Sequence, residues 1–140
     1  MITGKIRAVI DTNIDISSVI SKQGNPARII ERLSKGDFEN YLTQEIISEI
    51  KGILERADVK SITSYEYIIF IFSNFLRCSR LIAPMFDERV ILNDKSDDKF
   101  INCALSANAD VVSGDKHLLG LKKHKGVRIF SPREFLERLK

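Results

Sequence analysis

Residues 6–13 read IRAVIDTN: a short, largely apolar run from Ile6 to Ile10, halted by a carboxylate, a hydroxyl and an amide in succession. A run this short and this apolar suits a strand buried on both faces and ended by a polar turn, which puts Asp11 at the strand's carboxyl end. Outward from it, Asn25-Pro26 supplies an N-cap with proline at the first helical position, and Ile29, Ile30 and Leu33 repeat at helical spacing until Gly36 closes the helix. A strand near Glu39 to Leu42 follows, and Thr43 then caps a helix striped by Ile46, Ile47, Ile50, Ile53 and Leu54.

The second half continues the alternation. A helix from Ser64 to about Leu76 carries more apolar surface than one core contact requires. That helix is read either as packed on two sides or as also forming a homodimer interface. Leu81 to Pro84 is expected to be a third strand, Asp97 to Ala109 a helix, Asp110 to Ser113 a strand, and Asp115 to Leu121 a short helix. A basic loop leads to a last strand, Val127 to Phe130, and Ser131-Pro132-Arg133-Glu134 is a capping box that opens a final helix. Strands alternating with helices imply an α/β fold with a central parallel sheet covered on both faces. Such sheets hold ligands at the carboxyl ends of their strands.

At 140 residues the chain is sized for a single domain, 1–140. Its longest unbroken apolar run, Ile68 to Phe72, is far short of the roughly 20 residues that span a bilayer. The amino terminus shows no signal-peptide pattern, so no membrane association and a cytoplasmic location are expected. Cys78 and Cys103 lack zinc-ligand spacing and are read as reduced, buried thiols. Charge is uneven: from Lys116 onward eight Lys and Arg face two Glu, against fourteen and seventeen acids before it. Lys116, Lys122, Lys123, Lys125 and Arg128 are candidates to grip flanking nucleic-acid phosphates, although a solvated surface is the commoner explanation of such a run.

Four acids stand out. On a helical wheel the apolar positions Phe100, Ile101, Ala104 and Leu105 centre roughly 10° from Asp97, while Asp98 lies about 90° away at the edge of the stripe. Asp97 is therefore expected to point inward. Glu49 lies about 40° from Ile53 and is the acid of its helix nearest the buried boundary. Asp11 and Asp115 both follow strand ends, and Thr12 and Asn13 add a hydroxyl and an amide beside the first. Each acid has an ordinary explanation: Asp11 and Asp115 as N-caps, Asp97 as a first-turn acid favouring the helix dipole, Glu49 as a solvated helix edge. Assembled, they would hold a hard divalent cation such as Mg²⁺ or Mn²⁺. Glu66, Asp87, Glu88 and Asp94 have no comparable placement.

With these positions in order, the stretches AVIDTNIDISSVI (8–20), SEIKGILER (48–56), SDDKFINCALSANADVVSGDKHLL (96–119) and RIFSPREFL (128–136) resemble the PIN-domain family. Within it they are similar to the branch of VapC-like ribonucleases of toxin–antitoxin pairs. The resemblance runs from about Ile6 to Phe135 and implies a three-layer α/β/α fold and an acidic pocket for Mg²⁺ or Mn²⁺. It carries the family's acids onto Asp11, Glu49, Asp97 and Asp115, and its polar residue two beyond the first aspartate onto Asn13. Asp98 is the adjacent second choice for the third acid. Asp15 departs from the family, where an apolar residue is usual, and is read either as a fifth carboxylate or as a cap of the following turn. Asn108 replaces a frequent glycine. Ser113 replaces a frequent threonine and keeps its hydroxyl.

The implied activity is metal-dependent hydrolysis of RNA by a toxin whose partners are an RNA substrate, a second copy of itself and a small antitoxin. Asp11, Asp97 and Asp115 are the expected metal ligands, Glu49 completes the charge, and Thr12, Asn13, Ser113 and Asp98 support them. A phosphatase of the haloacid dehalogenase type would want aspartate at Asn13, and a receiver domain would want an acceptor aspartate where the chain has a helix. A PIN fold that binds RNA or a partner without cutting is the remaining alternative.

Overall fold

A computed structural model describes residues 4–56, 59, 61, 63–91 and 95–140. The reading of Asp94 lies outside the described residues. Six strands are β1 (Arg7–Ile10), β2 (Glu39–Leu42), β3 (Ser79–Leu81), β4 (Asp110–Val112), β5 (Lys123–His124) and β6 (Val127–Phe130). The helices whose bounds fall within the described residues are α1 (Thr12–Ile20), α2 (Asn25–Ser34), α3 (Gln44–Leu54), α4 (Tyr65–Arg77), α5 (Asp98–Ala107), α6 (Lys116–Leu121) and α7 (Pro132–Arg138), with a 3₁₀ turn at Lys95–Asp97 before α5.

The sheet order is β3-β2-β1-β4-β6-β5, parallel throughout except for the β5/β6 hairpin. The mixed α/β fold expected from the alternating pattern is therefore present. β1 and β4 lie side by side at its centre, with Ile10 opposite Val112. The chain moves outward from β1 through β2 to β3, then returns to the other side of β1 for β4. Since parallel crossovers are right-handed, that reversal places α5 on the opposite face from α1 and α2. The reversal also opens a crevice at the carboxyl ends of β1 and β4, where such sheets bind their ligands. Ala8, Val9, Ile10, Val111 and Val112 are fully enclosed, which explains why both central strands read as unbroken apolar runs.

Several boundaries differ from the sequence reading. Gly24, with φ 97°, caps α2 in place of Asn25, and Pro26 falls on the second helical residue. β3 ends at Leu81 instead of beginning there, because its register is set by β2, with Leu42 opposite Leu81. α5 stops at Ala107: Asn108 takes φ 54°, a left-handed conformation that asparagine tolerates better than other side-chain-bearing residues, so it serves where the family often has glycine. Lys123 and His124, read as part of a loop, form an edge strand. Cys103 is buried, and its thiol is pushed up to about 12 by that burial, but Cys78 is only half-buried.

The segment after β3 has no regular structure up to Ile91, yet α5 holds its backbone. Ser106 Oγ accepts from the Met85 N–H at 2.8 Å, and Asn102 accepts from the Glu88 N–H at 2.7 Å and donates to its carbonyl at 3.1 Å. Asp98 Oδ1 accepts from the N–H groups of Val90 (3.0 Å) and Ile91 (2.7 Å). Asp98, Asn102 and Ser106 are four residues apart, so they line one helix face and stand in for a missing neighbouring strand.

Candidate active site

Asp11 sits where β1 runs into α1. Its backbone N–H bonds to the Val112 carbonyl of β4 at 2.9 Å, the next rung of the β1/β4 pairing, which brings Asp11 beside Ser113. Ser113 Oγ donates to Asp11 Oδ2 at 2.6 Å and accepts from the Asp115 N–H at 2.9 Å. One hydroxyl thus positions both acids. Asp11 Oδ1 accepts from the Asn13 N–H at 3.2 Å, and Asp115 Oδ1 accepts from His117 (2.7 Å) and Leu118 (3.4 Å) at the start of α6. Both acids are therefore N-caps and also strand-end carboxylates, and the two readings hold together. The second oxygen of Asp115 accepts no hydrogen bond among the described residues.

Asp11 is 3% exposed. Burial pushes its pKa up; the bonds from Ser113 and Asn13 pull it down; the charges of Asp115 and then Glu49 push it up again. The structure thus brings Asp11, Asp115 and Glu49 into one electrostatic neighbourhood. Asp15, one helical turn from Asp11, joins it from below: burial, and then the charge of Asp11, raise its pKa well above the ordinary value of 3.8. It is buried among Ile16, Val19, Ile50, Leu54 and Phe75, and neither carboxylate oxygen has a hydrogen-bond partner. That overturns the cap reading of Asp15, which would need a backbone N–H on one of those oxygens. The Thr12 hydroxyl is buried and unpartnered as well.

The acids of the fourth segment divide their roles. Asp97 is buried and makes no capping bond to α5. Its helix leads directly into β4 and runs back against it, so Asp97 lies at the carboxyl end of the sheet with Asp11 and Asp115. Asp98, expected at the edge of the apolar stripe, is also buried, because the 85–91 segment covers its side of the helix and uses one of its oxygens. Glu49 is not a free pocket acid: Lys99 Nζ lies 2.6 Å from its Oε2, with side-chain exposures of 5% for the lysine and 30% for the glutamate. Lys99 also donates to the Ser96 carbonyl and stands over the Phe100 ring at 4.8 Å. No local signal marks Lys99, which lies opposite the apolar stripe of its helix and is buried where α3 packs against it.

The basic residues do not form one stripe. Lys116 is exposed beside Asp115, and Lys122 and Lys123 are exposed beyond α6 with no ion pair among the described residues. Lys125 pairs with Glu88 at 2.9 Å, where His124 also binds at 3.1 Å, so both are spent on the 85–91 segment. Arg128 pairs with Asp110 at 2.9 Å, at the amino ends of β4 and β6 and away from the acids.

The fold is a mixed α/β one with a central, mostly parallel sheet whose carboxyl ends gather aspartates, and likeness to known proteins defines it further. A family model described as PIN domain matches residues 7–117, and the chain belongs to the PIN-domain family. It is similar to the uncharacterized protein MJ1680 of Methanocaldococcus jannaschii, with 31% identity covering 95% of this chain and 91% of that one. Two solved structures share the fold. PAE2754 from Pyrobaculum aerophilum has TM-score 0.66 and 15% identity, covering 98% of this chain and 92% of that chain. VapBC2 from Rickettsia felis, bound to a DNA fragment from its promoter, has TM-score 0.62 and 14% identity, covering 90% of this chain and 98% of that chain. PIN domains are generally nucleases and typically use divalent metal ions.

The donors here are all oxygen, which suits Mg²⁺ or Mn²⁺. Buried, mutually repelling carboxylates with unpartnered oxygens are what such an ion would relieve. As placed, however, no three acids, histidines or cysteines among the described residues stand close enough to hold one ion together.

Proposed function

We infer that this chain is a metal-dependent endoribonuclease, the toxin of a toxin–antitoxin pair. The observation that carries the reading is Asp11. It is a buried carboxylate at the carboxyl end of the central strand, and its proton affinity is raised by burial and by the charges of Asp115 and Glu49. Asp11, Asp97 and Asp115 would hold Mg²⁺ or Mn²⁺ directly or through bound water, which spans the gaps left because no three of the acids among the described residues close on one ion as placed. A bound ion of this kind makes water nucleophilic at neutral pH and neutralises charge on the phosphoryl oxygens. Ser113 holds Asp11 and Asp115 in fixed relation, and the Asn13 N–H fixes the second oxygen of Asp11, so neither carboxylate has to reorient as charge develops. Lys99 pairs with Glu49 at 2.6 Å and holds its carboxylate in place. Lys116, beside Asp115, meets a flanking phosphate. Cleavage leaves 5′-phosphate and 3′-hydroxyl ends.

The natural partners are RNA, a small antitoxin that covers the acids, and a second copy docked on Tyr65, Ile69 and Phe70 of α4, which are exposed. A second reading, a PIN fold that binds RNA without cutting, is favoured by the Glu49–Lys99 pair, which engages one of the four acids with a fixed lysine. Incubating mixed cellular RNA with Mn²⁺ and mapping the ends separates the two. Wild type should cut and Asp11→Asn should lose activity about 100-fold or more, in line with the loss of one transition-state-stabilising group. Equal cutting by both proteins would sink the nuclease mechanism, and metal-independent binding without any cutting would establish the second reading.

A further inference from the structure

At the amino ends of the strands lies a cleft of opposite character. It has a volume of about 300 Å³ and is lined by Lys5, Arg7, Arg128 and Arg138 with Ile6, Asn108 and Asp110. Four cations and one carboxylate thus line it, and that carboxylate is bound to Arg128: Asp110 accepts from the Arg128 backbone N–H (3.1 Å), Nε (3.3 Å) and an Nη (2.9 Å), while Lys5 makes a contact of its own. Arg7 is partly committed, donating to the Ala107 carbonyl at 3.2 Å and standing 3.6 Å from Glu39. Arg138 has no hydrogen-bond acceptor among the described residues. Its guanidinium lies over the Phe130 ring at 5.1 Å, and that of Arg128 over the same ring at 5.3 Å.

Arg128 is balanced by Asp110, whereas Arg138 brings to the cleft a positive charge with no carboxylate beside it among the described residues, and an anion there would balance that charge. A cation–π contact uses the guanidinium's charge and none of its N–H donors, which remain able to take phosphate oxygens two at a time. The cleft volume is at the small end of ligand pockets, suited to a compact anion. We propose that this cleft is a phosphate-binding site, separate from the acids, that takes a phosphomonoester or diphosphate group. The group comes from a free nucleotide or from the 5′-phosphate end of an RNA strand, which offer the same chemistry. The proposal does not depend on the nuclease reading.

The test uses the whole chain carrying Asp11→Asn, in EDTA, so that neither cleavage nor metal-recruited phosphate contributes. Inorganic pyrophosphate is titrated by calorimetry at two salt concentrations, beside 5′-phosphorylated and 5′-hydroxyl forms of one oligoribonucleotide. Pyrophosphate binding that weakens about tenfold in Arg138→Gln and falls with salt supports the site; Arg138 is exposed, and circular dichroism checks that the variant is folded. A preference for the 5′-phosphorylated strand identifies the strand end as the source, and equal binding of both strands identifies the free anion. No pyrophosphate binding at millimolar concentration, or equal binding by the Arg138→Gln variant, overturns the proposal.

Discussion

At the amino ends of the strands every buried acid has a cation. Glu39 stands 3.0 Å from Arg80 and 3.6 Å from Arg7, and Asp110 is clamped by Arg128. At the carboxyl ends the corresponding acids do not. Asp11 is held by a hydroxyl and an amide N–H, Asp15 has no partner at all, and the one lysine buried nearby is bound to Glu49. The same residue type in the same sheet is therefore a structural part at one end and an unresolved charge at the other. An acid buried with its guanidinium is weak evidence of function, since such pairs hold packing together. An acid buried without one costs the fold energy that a bound cation would offset.

Substitution should expose that difference as opposite signs. The largest effect expected is the loss of RNA cleavage in Asp11→Asn. In stability the order reverses. Asp110→Ala should destabilise by about 2 kcal/mol, because it strips three hydrogen bonds and leaves Arg128 facing a void. Asp15→Leu should stabilise the cation-free protein by about 1–2 kcal/mol, because it replaces an unsatisfied carboxyl with an apolar group in an apolar setting. Urea melts in EDTA measure both. A loss of stability in Asp15→Leu would mean that Asp15 has a partner the contrast does not recognise.

The same contrast predicts an unusual pH response. Asp15, and to a lesser degree Asp11, have pKa values raised in the folded state above the unfolded value of 3.8. The folded protein therefore binds these protons more tightly than the unfolded chain does. The stabilising contribution is complete below 3.8 and is lost as the pH rises through the raised folded value. Other carboxylates follow the usual opposite trend, so the readout is the difference between wild type and Asp15→Leu in EDTA, which should narrow on acidification. A difference independent of pH would show that Asp15 is not titrating.

How much of this was legible depended on whether the signal was local. The central strands announced themselves because burial on both faces makes a plain apolar run, and Asp11 and Asp115 because strand ends are marked by the residues that follow them. The acidic helix starts were half legible. The wheel placed Asp97 inward, but it missed the burial of Asp98, since nothing local shows that residues 85–91 will lie across that face. The signal for this packing was present in Asp98, Asn102 and Ser106, a polar row at helical spacing beside an apolar stripe. Lys99 had none. Its burial against Glu49 is a contact between helices 50 residues apart, and a lysine opposite an apolar stripe reads as solvated. Arg128 misled for the converse reason: charge counted along the chain groups it with Lys116, while β6 begins at Val127 and so sets Arg128 opposite Lys123 and against Asp110, near the amino ends of the strands.

The smallest effect tests whether the basic residues near the acids belong to that end. Lys116 is exposed at the first position of α6, adjacent in sequence to Asp115, and has no partner among the described residues. If it meets a phosphate that flanks the scissile bond, Lys116→Gln should weaken RNA binding only about two- to threefold at moderate salt. It should also lower the slope of log affinity against log salt by roughly 0.7, the value for one phosphate contact on a single strand. Lys125→Gln should leave that slope unchanged, because Lys125 is bound to Glu88 and its removal alters the packing of the 85–91 segment instead. Fluorescence anisotropy with a single-stranded RNA across a salt series resolves the two, and equal slope changes would dissolve the distinction between a lysine that serves the acidic end and one that serves the fold.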